Sequence, residues 1–249
     1  MKKRLLDRYS RNIILKEIGG LGQKKLLHSK VLIVGAGGLG SPIISYLAAS
    51  GVGVMGISDH DVVAHSNLQR QIIYKTKDVK KSKAVSAKKF ALKLNPNIEV
   101  KCLPHSISEN NAKQVLSNYD FIIDGSDSLL TRYTLNEACY EIEKPLLIGA
   151  ISQWDGQIGL YDPNKGSPCF ECVFPKANVS QYSESCSEGG VLGPLPGIIG
   201  SIMAAEAIKF LTDVGTSLIG SLMLFDSLSG EVRKYKTKKR QECLICQNK

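Results

Sequence analysis

The most constraining feature of this chain is a glycine loop set between a strand pattern and a helix pattern. Val31 to Val34 is a short apolar run rich in β-branched residues. Gly35-Ala36-Gly37-Gly38-Leu39-Gly40 follows, and Leu39, Ile43, Ile44, Leu47 and Ala48 then recur at helical spacing until Gly51. Gly53 to Ser58 reads as a second strand ending at Asp59. Glycines at 35, 37 and 40 make a G-x-G-x-x-G loop in the strand–loop–helix context of a nucleotide site, and Gly38 lies within it. The backbone there can approach phosphate, and the helix N-terminus supplies free N–H groups and partial positive charge. Asp59 is placed to accept hydrogen bonds from ribose hydroxyls. A tight turn with no ligand is the weaker reading. The loop by itself leaves NAD, FAD and ATP open.

Strand and helix patterns alternate through the first 150 residues. Leu5 to Leu15 has helical spacing and is expected to end at Gly19-Gly20-Leu21-Gly22. Ser82 to Leu94 reads as a Lys-rich helix stopped by Asn95-Pro96, and Ile98 to Leu103 as a strand. A short helix over Ser108 to Leu116, a strand over Phe121 to Asp124, a helix over Ser128 to Glu141 and a strand over Leu146 to Ala150 complete the series. Such alternation predicts a parallel sheet with right-handed crossovers. The remainder changes style. Gly156 to Tyr161 suits a hairpin, and Asn178 to Gly193 is polar and without an element. Leu195-Pro196-Gly197 opens an apolar helix to Leu211, and Leu222 to Phe225 and Val232 to Tyr235 flank a turn. The expectation is one Rossmann-like α/β domain over residues 1–249, a mixed, mostly parallel sheet flanked by helices. Residues 1–150 form its nucleotide-binding parallel half and 151–249 a partly antiparallel half.

Charge narrows the partners only slightly. Lys and Arg total 32 against 23 Asp and Glu, giving +9, which suits an acidic protein, an anionic cofactor or nucleic acid. The densest basic stretch, Lys234 to Arg240, reads as a solvated tail, and aromatics at 6% do not make a base-stacking platform. A nucleic-acid role is therefore not favoured. Val31 to Ser58 carries no charge and is long enough to cross a bilayer, but its glycines and strand-like ends suit a buried β-α-β unit better. No signal peptide is expected, because Asp7 and Arg8 follow Leu5-Leu6 directly. The chain reads as cytoplasmic and without a membrane partner.

Cations and carboxylates near the loop separate nucleotide chemistries. Asn67-Leu68-Gln69-Arg70-Gln71 lies just beyond Asp59, Lys83 opens a helix, and Asp127 follows the Phe121 to Asp124 strand. In a parallel sheet the C-terminal strand ends share one rim, so Asp59, Arg70 and Asp127 can converge over the loop. Two cations and a second carboxylate suit a triphosphate with Mg²⁺, and hydride transfer has no need of them. Arg70 is the stronger functional candidate, because Lys83 sits among Lys80, Lys81, Lys88 and Lys89.

Four of the seven cysteines form two C-x-x-C pairs, Cys169/Cys172 and Cys243/Cys246. This spacing predicts one closed tetrahedral zinc site, structural rather than catalytic, tying the C-terminal end to the middle of the chain. Cys102 and Cys139 read as core thiols and Trp154 as a packing residue. Cys186 lies in a polar loop between Glu184 and Glu188, which raise a thiol's pKa; reactive and inert readings both stand. The histidines form no spaced cluster and are given no chemical role.

Arg8-Tyr9-Ser10-Arg11-Asn12-Ile13-Ile14-Leu15, the loop from Gly35 to Pro42, Ser66-Asn67-Leu68-Gln69-Arg70-Gln71, Lys83, Asp124 to Asp127, both C-x-x-C pairs and Gly189 to Gly200 occur in one order. Over nearly its whole length the chain resembles the bacterial MoeB/ThiF/HesA adenylyltransferases, relatives of the ubiquitin-activating enzymes. The resemblance implies ATP-dependent adenylation of the C-terminal glycine of a small ubiquitin-like sulfur carrier protein with a Gly-Gly terminus, in molybdopterin or thiamine biosynthesis. It implies that Asp59 binds ribose, that Asn67, Arg70 and Lys83 bind the phosphates, and that Asp127 binds Mg²⁺. It further implies that Arg11 reaches the nucleotide of the other subunit of a homodimer and that the paired cysteines hold Zn²⁺. The 151–249 half would bind the carrier. Cys186 matches a cysteine that in ThiF-like members joins the carrier through sulfur and that MoeB-like members do not need for adenylation. The family usually reads Asp-Asn where this chain has Asp127-Ser128, and Gln where it has Asn12. Three rivals remain: an NAD-dependent oxidoreductase, a tRNA threonylcarbamoyladenosine dehydratase-like enzyme, and a non-catalytic scaffold. The first explains the loop and Asp59 but not Arg70, Asp127 or the cysteine pairs.

Overall fold

The computed structural model describes residues 3–178 and 190–246. Its sheet has eight strands: β1 (Lys30–Val34), β2 (Val54–Ser58), β3 (Glu99–Leu103), β4 (Phe121–Asp124), β5 (Leu146–Ser152), β6 (Asp155–Tyr161), β7 (Ser221–Asp226) and β8 (Glu231–Lys236). Their spatial order is β3-β2-β1-β4-β5-β6-β7-β8. The first five in that order are parallel and the last three antiparallel, as the sequence pattern predicts.

The helices are α1 (Lys3–Arg8), α2 (Ser10–Ile13), α3 (Gly19–His28), α4 (Gly40–Ser50), α5 (Lys83–Leu94), α6 (Ala112–Leu116), α7 (Leu129–Glu141), α8 (Phe170–Val173) and α9 (Leu195–Thr212). Successive residues of β1 enter different cores. Val31 and Ile33 pack with Ile43, Leu47, Ile199 and Met203, while Leu32 and Val34 pack with Leu116, Leu135 and Phe170. Side chains alternate across a strand, so a strand covered by helices on both faces must be apolar throughout. At the opposite extreme β8 is an edge strand with every residue exposed, and its charges keep that edge soluble.

Three expectations are corrected. The predicted helix over Leu5 to Leu15 is two short pieces, and the glycines at 19, 20 and 22 begin α3 instead of closing a helix. Tertiary contacts hold this weak helix former: Leu26 is fully buried, and the buried Gln23 donates from Nε2 to the Ser50 carbonyl at 2.8 Å. Trp154 is 41% exposed at the tip of the β5–β6 hairpin and does not pack in a core. The short helix predicted from Ser108 begins at Ala112. α9 is long and apolar enough to cross a membrane, but it packs against α4, α3, β5 and β6 with Leu195, Ile199, Met203 and Ala207 buried.

Candidate active site

The strand order reverses between β2 and β4 on either side of β1, and the crevice at the C-terminal ends of such strands is where open α/β sheets take ligands. Here it widens into a cavity of about 890 Å³. Gly35, Gly37 and Gly38 line its floor, Asp59, Asp61, Arg70 and Lys83 one side, and Gly125 to Leu129 with Thr131 and Arg132 another. The outer wall comes from the antiparallel strands, through Ala150 to Ser152, Asp155 to Gln157, Leu224 to Asp226, Glu231 and Arg233.

The loop can be built only from glycine at its two ends. Gly35 has φ +90°, and a Cβ there would stand 2.9 Å from the backbone of Gly125 and Ser126. A Cβ on Gly40 would meet the Gly35 carbonyl oxygen at 2.2 Å, so the first turn of α4 closes directly over the loop. Asp59 holds this geometry from the side. Its Oδ2 accepts from the Ala36 N–H at 2.8 Å and its Oδ1 from the Asp61 N–H at 2.9 Å. Each carboxylate oxygen keeps a further acceptor site for a hydroxyl.

Arg70 lines the cavity with its Nη1 donating to the Ser66 carbonyl at 3.1 Å. Lys83 is buried, and its Nζ reaches Asp61 Oδ2 at 2.9 Å. That hydrogen bond is the main cause holding the Asp61 carboxyl below the usual carboxylate range; burial opposes it. Asp127 is exposed at the rim and makes no ion pair among the described residues. Its carboxylate is the kind of oxygen donor that Mg²⁺ shares with substrate phosphates. Ser128 caps α7, accepting from the Thr131 N–H at 3.2 Å, so the departure from Asn leaves the helix start intact.

Neither Asp61 nor Arg132 stands out in the sequence, and Gln71 and Asp124 enter it only as members of quoted motifs, without a role. Asp124 is fully buried behind the rim; burial pushes its carboxyl up, and the nearby Arg132 guanidinium opposes that. Arg132 Nη2 donates to the Ser126 carbonyl at 2.9 Å, fixing the turn that carries Asp127. Gln71 Oε1 and Arg132 Nε are buried without a partner. The Arg132 signal was available as a cation one helical turn into α7, on the face that follows the strand end.

Two expected residues lie outside the cavity lining, and a third falls outside the described residues. Asn67 Oδ1 accepts from the Ala64 N–H at 2.9 Å, within the turn it belongs to, and Asn67 does not line the cavity. Arg11 is exposed on α2 and also lies outside it. Cys186 lies outside the described residues.

The four paired cysteines gather against Tyr140, and Phe170, which lies between the first pair in sequence, lines the cavity. Their sulfurs all lie within 4.8 Å of one another, with Cys169 to Cys243 at 3.5 Å and Cys172 to Cys246 at 3.1 Å. A tetrahedral ion with Zn–S of about 2.3 Å sets sulfurs roughly 3.8 Å apart, so the cluster fits Zn²⁺. Burial, with the neighbouring thiols after it, pushes Cys246 up to about 12 and raises Cys169 as well. Protonated thiols so placed lose their protons to a dication. Cys169 caps the four-residue α8.

With this geometry in place the comparisons with known proteins have a clear meaning. A model of the ThiF family matches residues 9–245. The chain belongs to the ThiF family. It is 42% identical over 248 residues to the sulfur carrier protein adenylyltransferase of Thermus thermophilus, covering 98% of this chain and 92% of that protein. It is 42% identical over 241 residues to the SAMP-activating enzyme E1 of Haloferax volcanii, covering 97% of this chain and 88% of that one. The adenylyltransferase and sulfurtransferase MOCS3 of Xenopus laevis is 43% identical over 244 residues, and there the match covers 97% of this chain and 53% of the relative. The chain thus spans about half the length of its MOCS3 relatives. The fold is that of Escherichia coli MccB solved with ATP, with a TM-score of 0.84 at 25% identity over 96% of this chain and 74% of that one.

Proposed function

We propose that this ThiF-family protein adenylates the C-terminal glycine of a small ubiquitin-like sulfur carrier protein, consuming ATP and releasing pyrophosphate. The observation that carries the reading is the meeting of the glycine loop, Asp59, Arg70, Lys83 and Asp127 around one cavity. A second support is the naming of its relatives in Thermus thermophilus and Xenopus laevis as adenylyltransferases.

The carrier's terminal carboxylate attacks the α-phosphorus, the bond to the bridging oxygen breaks, and pyrophosphate leaves with that electron pair. A C-terminal carboxyl has a pKa of about 3.5, so the nucleophile is already ionised and needs no general base. The difficulty is bringing one anion against another. Arg70 and Lys83 supply positive charge beside the phosphates, and Arg132 adds a third cation from the far wall. Asp59 orients the ribose. Asp127 would hold Mg²⁺, which would supply charge neutralisation at the phosphate oxygens. Arg11 serves the nucleotide of a second subunit, and exposed Ile14, Leu15 and Leu21 beside it suit a homodimer contact.

In this reading the division of labour follows the sheet. Residues 1–150 hold the nucleotide, and the antiparallel half, 151–249, receives the carrier's tail along β6, β7 and β8. The Cys169/Cys172/Cys243/Cys246 cluster holds Zn²⁺ as a structural clamp. A hydride-transfer role would leave Arg70, Lys83 and Asp127 without a task. The test is ATP–pyrophosphate exchange with a Gly-Gly-ended carrier. Exchange that requires the carrier, survives RNase and is not supported by NAD is expected. Pyrophosphate exchange absent with every Gly-Gly carrier of the same genome would overturn the proposal.

A further inference from the structure

Tyr74 was unremarked in the sequence, lies more than nine-tenths buried, and sits beneath the glycine loop. Its hydroxyl donates to the Ala36 carbonyl at 2.8 Å and lies 3.2 Å from the Lys83 carbonyl. Those two contacts complete a ring of hydrogen bonds. Asp59 accepts from the Ala36 N–H at 2.8 Å, and the Ala36 carbonyl accepts from Tyr74. Tyr74 also reaches Lys83, and Lys83 returns to Asp61 twice, through its N–H and its Nζ, both at 2.9 Å. The Asp61 N–H closes the ring on Asp59 at 2.9 Å. Ala36 is therefore gripped through both of its flanking peptide units, its N–H by a carboxylate and its C=O by a phenol.

We propose that Tyr74 is a positioning residue for nucleotide binding, fixing the phosphate-facing loop and Lys83 in one register through the Ala36 and Lys83 carbonyls. The inference rests on the reading of the cavity as an ATP site and goes beyond it, because Tyr74 touches no part of the cavity surface. Its chemistry suits the role. Burial above all, with the Asp59 and Asp78 carboxylates, raises the phenol far above its usual range, so the hydroxyl stays a donor at every working pH. Without that donor a buried carbonyl of the loop loses its partner, and the peptide between Gly35 and Gly37 gains freedom to turn. Loop and lysine would then be ordered separately by the incoming phosphates, at a cost to affinity.

The test is calorimetric binding of a non-hydrolysable ATP analogue to the full chain, wild type and Tyr74→Phe, each also carrying Lys83→Ala. Phe keeps the ring in its apolar pocket, and thermal unfolding without nucleotide checks the fold of every variant. Tyr74→Phe is expected to weaken the analogue about 10-fold in the wild-type background. With Lys83 already removed it is expected to weaken the analogue less than threefold, since the two act as one unit. In exchange assays KM for ATP should rise while KM for the carrier stays put. Unchanged affinity in Tyr74→Phe, or losses that multiply in the double variant, would overturn the positioning role alone. Wild-type protein with no affinity for the analogue would overturn the ATP reading and this proposal together.

Discussion

Lys83 Nζ lies 2.9 Å from Asp61 Oδ2, with the lysine side chain 9% exposed and the aspartate 53% exposed. A buried cation is thus held by a carboxylate that remains in contact with water. The arrangement fixes the Lys83 side chain where it lines the cavity. In the sequence it is one Lys among several.

The pair gives a pH signature. The Asp61 carboxyl is held below its ordinary value, first by the Lys83 hydrogen bond. Its contribution to stability is therefore fully present above the ordinary carboxylate range and is lost as pH falls through the depressed value. Asp61→Asn should unfold at lower temperature than wild type at pH 7, with a narrower gap in acid, below the ordinary carboxylate value of about 3.9. Because Asp61 is half in water the effect should be under about 1 kcal/mol. Thermal melts at the two pH values measure it, and a gap that widens in acid would contradict this account.

Asp127 has no ion pair among the described residues and stands at the rim that faces the glycine loop. Asp127→Ala is expected to lower carrier-dependent ATP–pyrophosphate exchange on the order of 100-fold or more. Its melting temperature should stay close to wild type, because the side chain is exposed. Undiminished exchange would remove Asp127 from the metal-binding role.

Much of this architecture was legible because strands buried on both faces leave a plain signal. Phe121 to Asp124 was bounded to the residue, and Asn95 and Gly51 marked helix ends correctly. Long-range packing was the hidden part. The glycines at 19, 20 and 22 read as a stop because local propensity opposes a helix, yet the burial of Gln23 and Leu26 overrides it. Asp59, Arg70 and Asp127 were visible as polar groups at strand ends and in a motif. Asp61 and Tyr74 were not, because their importance lies in partners far along the chain, Lys83 and Ala36, whereas Arg132 acts through the Ser126 carbonyl only six residues back.

The cysteine cluster joins residues 169–172 to the chain's last described turn, so metal should matter to stability more than to nucleotide binding. The purified protein is expected to carry one zinc per chain by elemental analysis. Stripping it with a strong chelator should cost about 3 kcal/mol, a fall in melting temperature of roughly 6–12 °C. Affinity for an ATP analogue below that temperature should fall less than stability does, since none of the four cysteines lines the cavity and only Phe170 and Phe174 beside them reach it. Equal loss of both properties would place the cluster within the active site's support.

Within the glycine loop two substitutions of the same size should behave differently. A Cβ on Gly37 meets only the Gln71 Nε2 at 3.5 Å, an ordinary contact, whereas one on Gly40 falls 2.2 Å from the Gly35 carbonyl oxygen. The atom in the way at Gly40 is backbone, held in turn by the left-handed φ of Gly35, so it cannot move aside cheaply. Gly40→Ala is expected to destabilise the protein by about 1–3 kcal/mol and to abolish measurable binding of an ATP analogue. Gly37→Ala should melt within a few degrees of wild type, any loss of affinity reflecting the methyl's intrusion on the phosphates. Chemical denaturation beside calorimetry separates the two cases, and equal stability of the two variants would mean that the loop is not packed against α4 in this way.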